Sequence, residues 1–129
     1  MKVLKEEVIL NCSAKELWNI LSDVSRCDWV PSVEKIWIEG ECRVFEMEGM
    51  GVIKEKIILN DDNKMRLQYS AIETATPINH HHASMCVSEI DEETCNFSWV
   101  TEIDPEIFAD AIYHGMMISI EGIKKVIRN

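Results

Sequence analysis

Two glutamates and a run of three histidines are the residues best suited to chemistry. Val52 to Leu59 alternates as a strand does, with Ile53, Ile57 and Leu59 on one face and Lys54 and Lys56 on the other; Glu55 falls with the apolar set. From Met65 to Glu73, the residues Leu67, Tyr69 and Ala71 align, and Glu73 continues their face. An ionised carboxylate on an inward face is costly without a partner. Both glutamates therefore need water, a donor or a ligand, unless they lie near a strand end or bulge and reach solvent. Glu55→Gln is expected to alter ligand affinity with little loss of stability. In His80-His81-His82, the first and third imidazoles share one side of a strand and His81 takes the other. Two imidazoles at i and i+2 can grip a metal if a carboxylate completes the set. The spacing suits hydrogen-bonding groups on a pocket rim better, so no metal and no cofactor are expected.

These groups need elements to position them. Residues 6 to 12 are strand-like, and Ser13-Ala14-Lys15-Glu16 is a capping box that opens a short helix with Leu17, Trp18 and Leu21 on one face. Ser22 to Ser32 is a second short turn or helix, ended by Pro31. Short strands with polar turns follow: Val33 to Glu39, Arg43 to Glu48, Val52 to Leu59, Met65 to Glu73, His80 to Ile90 and Cys95 to Ile103. In the last of these, Phe97, Trp99, Thr101 and Ile103 share a face. From about 105 to 127 the stripe Phe108, Ile112, Met116, Ile120, Ile123 and Ile127 predicts a long helix, with Pro105 at its first position and Asp104 as cap. The order predicts an α+β fold over 1–129: a seven-stranded curved antiparallel sheet, two short helices after strand 1, and a long C-terminal helix across the concave face. One helix seldom fills a curled sheet. Met116 on the helix stripe and Met50 between Gly49 and Gly51 supply adaptable apolar contacts to what remains.

Composition limits the function. The 129 residues carry a formal net charge of −10, which repels phosphate backbones and anionic lipid heads, so no nucleic-acid partner is expected. Lys124-Lys125 with Arg128 is the nearest basic cluster; Arg128 lies outside the residues described below. The five cysteines have no C-x-x-C pair and are expected to be free thiols. No run long enough for a membrane span occurs, and the charged start Met1 to Glu7 lacks a signal-peptide core, so a cytoplasmic location is expected. Oligomeric state is not encoded legibly.

Five stretches, in order, resemble the START-like helix-grip superfamily, SRPBCC. They are Leu17-Trp18-Asn19-Ile20-Leu21-Ser22-Asp23, Trp29-Val30-Pro31, Gly51 through Lys54-Glu55-Lys56-Ile57, Thr76-Pro77-Ile78-Asn79-His80, and Phe108-Ala109-Asp110 with Glu121-Gly122-Ile123-Lys124-Lys125. The group includes the birch-pollen allergen, START domains, polyketide cyclase/dehydrase-like proteins and the plant abscisic-acid receptors. The resemblance implies a pocket for an apolar or amphipathic small molecule. By analogy with the receptors it implies pocket residues at Glu55, Tyr69, His80 and Phe108. It also implies a gate at Gly49-Met50-Gly51 and a latch at Thr74 to Asn79, which contains Pro77. Val30 sits near the place of the receptors' carboxylate-binding lysine. The ligand-contact set is then Glu55, Tyr69, Glu73, His80, His82, Trp99, Phe108, Ile112 and Met116. Three functions stay open: a binding protein for a lipid, polyketide, terpenoid or aromatic molecule; a cyclase/dehydratase in which Glu55 or Glu73 is the base and His80 or His82 the acid; and an assembly or interaction subunit with a collapsed pocket, which the charged inward residues disfavour.

Overall fold

The computed structural model describes residues 1–127. The chain runs β1 (Lys2–Leu10), α1 (Ala14–Ser22), β2 (Ile36–Glu39), β3 (Cys42–Met47), β4 (Gly51–Asp61), β5 (Arg66–Glu73), β6 (His80–Glu89), β7 (Cys95–Asp104), a 3₁₀ turn (Glu106–Phe108) and α2 (Ala109–Ile127). All neighbours are antiparallel in one sheet of order β1-β7-β6-β5-β4-β3-β2. β2 to β7 form a meander, and β1 closes the far edge beside β7. β1 begins four residues earlier than its apolar centre suggests. As an edge strand it carries charged, exposed Lys2, Lys5 and Glu7 while burying Leu4 and Leu10.

α1 starts where the capping box predicts: the Ser13 hydroxyl accepts from the Glu16 amide at 3.1 Å. Its buried face carries Leu17, Trp18, Ile20 and Leu21. Trp18 Nε1 donates to Asp62 at 2.9 Å, tying the helix to the β4–β5 turn. The second short helix does not form. Residues 23–33 instead make successive tight turns, with Arg26 N donating to Asp23 O, Val30 N to Cys27 O and Val33 N to Val30 O. The Asp23 carboxylate takes the Ser25 amide at 3.1 Å. Such side-chain bonds compete with a helical ladder, and Pro31 cannot extend one. The C-terminal helix also begins differently: Pro105 precedes a 3₁₀ turn, and Asp104 ends β7, where it accepts from Asn79 Nδ2 at 3.1 Å.

The main core joins Leu67, Met85 and Phe97 of the sheet to Met116, Ile120 and Ile123 of α2. A smaller core of Val33, Phe45 and Ile53 sits at the β2–β4 end. Seven strands at ~4.8 Å spacing make a sheet about 29 Å wide, whereas a helix with its side chains is about 10–12 Å across. α2 therefore covers part of the face, and the two cores do not merge. One close approach fixes the helix. A Cβ built on Gly122 would lie 2.0 Å from the Trp29 carbonyl oxygen, so the 23–33 loop is seated directly on the α2 backbone. All five cysteines are free; burial pushes Cys95 up to about 12, with Cys12 Sγ 4.0 Å away. Among the described residues no helix is long and apolar enough to cross a membrane.

Candidate functional site

Between the two cores lies a largely apolar cavity of about 230 Å³, equal to roughly seven or eight waters at ~30 Å³ each. Its wall draws Val33, Phe45 and Ile53 from the smaller core and Trp99, Ile103 and Met116 from the larger. The charged and titratable side chains that face it are Arg26, Arg43, Glu55, Tyr69 and His81.

Glu55 faces inward, 8% exposed, opposite Arg43, which is 6% exposed. Arg43 Nε donates to Glu55 Oε1 at 2.8 Å. The guanidinium carbon sits 4.6 Å from the centroid of the Tyr69 ring, a cation–π contact that holds Arg43 against the sheet. Burial and the charge of Glu55 push the Tyr69 hydroxyl well above its ordinary value, so it stays protonated. Arg26, at the edge of the cavity, is engaged bidentately by Asp28 at 2.6 and 2.9 Å. Trp29 and Trp99 meet edge to face, 6.5 Å between centroids, and both indole N–H groups are buried with no partner among the described residues.

His81 interrupts the sheet. β5 and β6 pair from Arg66↔Cys86 to Tyr69↔Ala83 and no further. Beyond that, the Ser70 hydroxyl donates to the His81 carbonyl, and the Ala71 amide donates to His81 Nδ1 at 2.9 Å. An imidazole thus replaces a backbone acceptor, and with Nδ1 accepting, the neutral ring carries its proton on Nε2. His81 is part of the cavity wall and also of an outer cleft beside Pro77, Asn79, His80 and His82. Burial holds its pKa below the ordinary value, with Glu55 opposing and His82 and His80 reinforcing the shift. The folded protein therefore refuses a proton that the unfolded chain accepts. The contribution of His81 to stability is present above pH ~6.5 and is lost as pH drops below it, by at most about 1.4 kcal/mol per pH unit, until the folded-state pKa is passed. His81→Asn, which keeps an acceptor for Ala71, is expected to flatten the fall in the urea midpoint between pH 7.5 and 5.5.

Of the residues marked by sequence, Glu55, Tyr69, Trp99, Phe108, Ile112, Met116 and Met50 line the cavity. Glu73, His80 and His82 do not. β5 carries an extra residue, Ile72, where the register shifts from Glu55↔Ala71 to Lys54↔Glu73. That bulge turns exposed Glu73 outward beside Lys54. His80 Nε2 lies 2.9 Å from Glu102 Oε1 on the exposed face, because Ala83, Met85 and Val87 claim the inward positions and His81 continues their alternation. Among the described residues no three His, Cys, Asp or Glu side chains gather to hold a metal ion. The Gly49-Met50-Gly51 turn touches the Thr74 to Asn79 loop: a Cβ on Gly51 would lie 3.4 Å from Ala75 Cβ. Gly49 and Gly51 take φ of 82° and 77°, where L side chains are strained. Met50 is 41% exposed at this rim, while Pro77 lines the outer cleft. Sequence reasoning missed Arg43 and His81. Both were signalled, Arg43 by its alternation with Phe45 and Met47, and His81 by its alternation with Met85 and Val87.

The family model for polyketide cyclase / dehydrase and lipid transport matches residues 1–126. No curated protein matches the sequence. An uncharacterised protein from Bacillus thuringiensis superposes with a TM-score of 0.88 at 14% identity, covering 99% of this chain and 100% of the other. Norcoclaurine synthase from Thalictrum flavum, solved with dopamine and hydroxybenzaldehyde, gives 0.73 at 20% identity, covering 98% and 86%. The di-domain ARO/CYC BexL of the BE-7585A biosynthetic pathway gives 0.82 at 11% identity, covering 99% of this chain and 47% of that one. At these identities the structural likeness speaks to the fold.

Proposed function

Because the chain belongs to the polyketide cyclase / dehydrase and lipid transport family, we propose that it is a binding protein that encloses a small, mainly apolar molecule between its sheet and α2. The observation that carries this reading is the cavity itself: apolar walls with a compact polar group, Arg43–Glu55–Tyr69–His81, on one side. Apolar walls with a few convergent polar groups are the usual make-up of small-molecule sites. The whole chain, 1–129, acts as one START-like unit. Native mass spectrometry of protein purified from its own cells, without added ligand, is the direct test. A copurified small molecule released on denaturation is expected, and repeated recovery of the bare chain would count against the reading.

The runner-up is a cyclase/dehydratase. The pairing expected from sequence is not available to it, since Glu73, His80 and His82 lie off the cavity. Glu55 and His81 are the carboxylate and imidazole that share the wall, and the charge of Glu55 bears on His81. Binding is favoured over catalysis because Glu55 Oε1 is already engaged by the Arg43 guanidinium at 2.8 Å. A binder returns its copurified molecule unchanged on prolonged incubation; a dehydratase returns it lighter by one water.

Gating follows from the rim. Met50 and the Thr74 to Asn79 loop should close together over a ligand. Hydrogen exchange is expected to slow in residues 48–52 and 74–79 in concert when the cavity is filled. Unchanged exchange in both segments at saturation would remove the gate.

A further inference from the structure

The charge inventory of the cavity is closed. Arg43 and Glu55 neutralise each other inside it, Arg26 is neutralised by Asp28 at its edge, and His81 is partly buried with its Nδ1 taken by the Ala71 amide, an arrangement that suits the neutral ring. The rest of the wall is apolar or carries hydroxyl and indole groups. A ligand carboxylate seated on Arg43 would have to displace Glu55 or lie beside it, two like charges on one guanidinium. A ligand ammonium on Glu55 would compete with Arg43 in the same way. Arg43 cannot swing aside without losing the Tyr69 ring at 4.6 Å. Either ion leaves one buried charge without a partner, which is the expensive outcome for a desolvated pair. A neutral polar group has no such conflict. Arg43 has five N–H donors, and the hydrogen bond to Glu55 uses Nε. Glu55 Oε2 likewise retains acceptor capacity.

We propose that the Arg43–Glu55 pair is a specificity determinant that restricts the cavity to ligands uncharged at their buried end, and that breaking the pair redirects the preference. With Glu55 neutralised, the uncompensated guanidinium selects anions; with Arg43 neutralised, the uncompensated carboxylate selects cations. This rests on the reading of the cavity as a ligand site.

The test uses three probes on one aromatic frame: 2-acetylnaphthalene, 2-naphthoate and 2-naphthylmethylammonium, titrated by NMR chemical shift. The unaltered protein is expected to bind the ketone at least about tenfold more tightly than either ion. Glu55→Gln should shift the naphthoate-to-ketone affinity ratio at least about tenfold toward naphthoate, and Arg43→Gln should shift the ammonium-to-ketone ratio as far toward ammonium. If a single variant is too unstable to titrate, its melting temperature gives the same answer by linkage. Naphthoate should then raise the Tm of Glu55→Gln more than the ketone does, and the ammonium should do so for Arg43→Gln. Binding of all three probes with ratios that do not change on breaking the pair overturns the specificity role and leaves the ligand site standing. If none of the three binds the unaltered protein, the specificity role falls together with the site.

Discussion

Gly122→Ala is expected to destabilise the protein by about 3 kcal/mol, the upper end of the usual cost of overpacking, and to lower Tm by roughly 10 °C. An added Cβ would meet the Trp29 carbonyl oxygen at 2.0 Å and its carbon at 2.9 Å. The obstruction is backbone on both sides, so no rotamer change relieves it. Either α2 lifts from the sheet or the 23–33 loop moves, and Trp29 and Val30, both on the cavity wall, move with it. Gly115→Ala is the internal control. It lies in the same helix, nothing stands within 4 Å of its Cβ position, and helix propensity alone predicts a gain of about 0.8–1 kcal/mol. Thermal melts of the two variants should move in opposite directions. Equal behaviour would mean that the seating of Trp29 on α2 is wrong.

Glu55→Met or Arg43→Met alone should cost about 3 kcal/mol, the lower end for a buried ion pair losing one member, because the cavity gives the remaining charge some access to water. Arg43→Met with Glu55→Met should recover most of that loss. Two apolar side chains of similar volume remove both desolvation penalties at once. Urea denaturation of the four proteins forms a double-mutant cycle. A coupling near zero would show that the 2.8 Å contact contributes nothing in solution. The expectation that Glu55→Gln leaves stability almost untouched is corrected by the same contact: a neutral glutamine removes the charge on which buried Arg43 depends.

Much of the fold was legible because its signals are local. Alternation in β7 gives Phe97, Trp99, Thr101 and Ile103 as inward residues, and all four are buried. The glycines around Met50 announce the β3–β4 hairpin, and counting equally outward from Gly49 pairs Arg43 with Glu55. That count was available from sequence and would have supplied the counter-charge for Glu55. Parity carried back from Val87 and Met85 reaches His81 rather than His80 or His82. Other features depend on pairing between strands and leave little trace in one sequence. The bulge at Ile72, which turns Glu73 outward, arises from the register of β5 against β4. The turns of residues 23–33 replace a helix because Asp23 captures the local amide of Ser25 and because the loop must lie on Gly122. Neither cause is visible in hydrophobic spacing.

The break between β5 and β6 has a consequence for how such a chain can diverge. Past Tyr69 and Ala83 the two strands are joined by the His81 side chain and the Ser70 hydroxyl, not by a continuing ladder. β6 is meanwhile fixed along its whole length by β7, from His80↔Asp104 to Glu89↔Cys95. Insertions or deletions between Thr74 and Asn79 therefore need not propagate into the register of β6, and Phe97 and Trp99 keep their places whatever the length of that loop. The rim of the cavity can therefore change in length and sequence within a single short segment while the strands that form its floor keep their register.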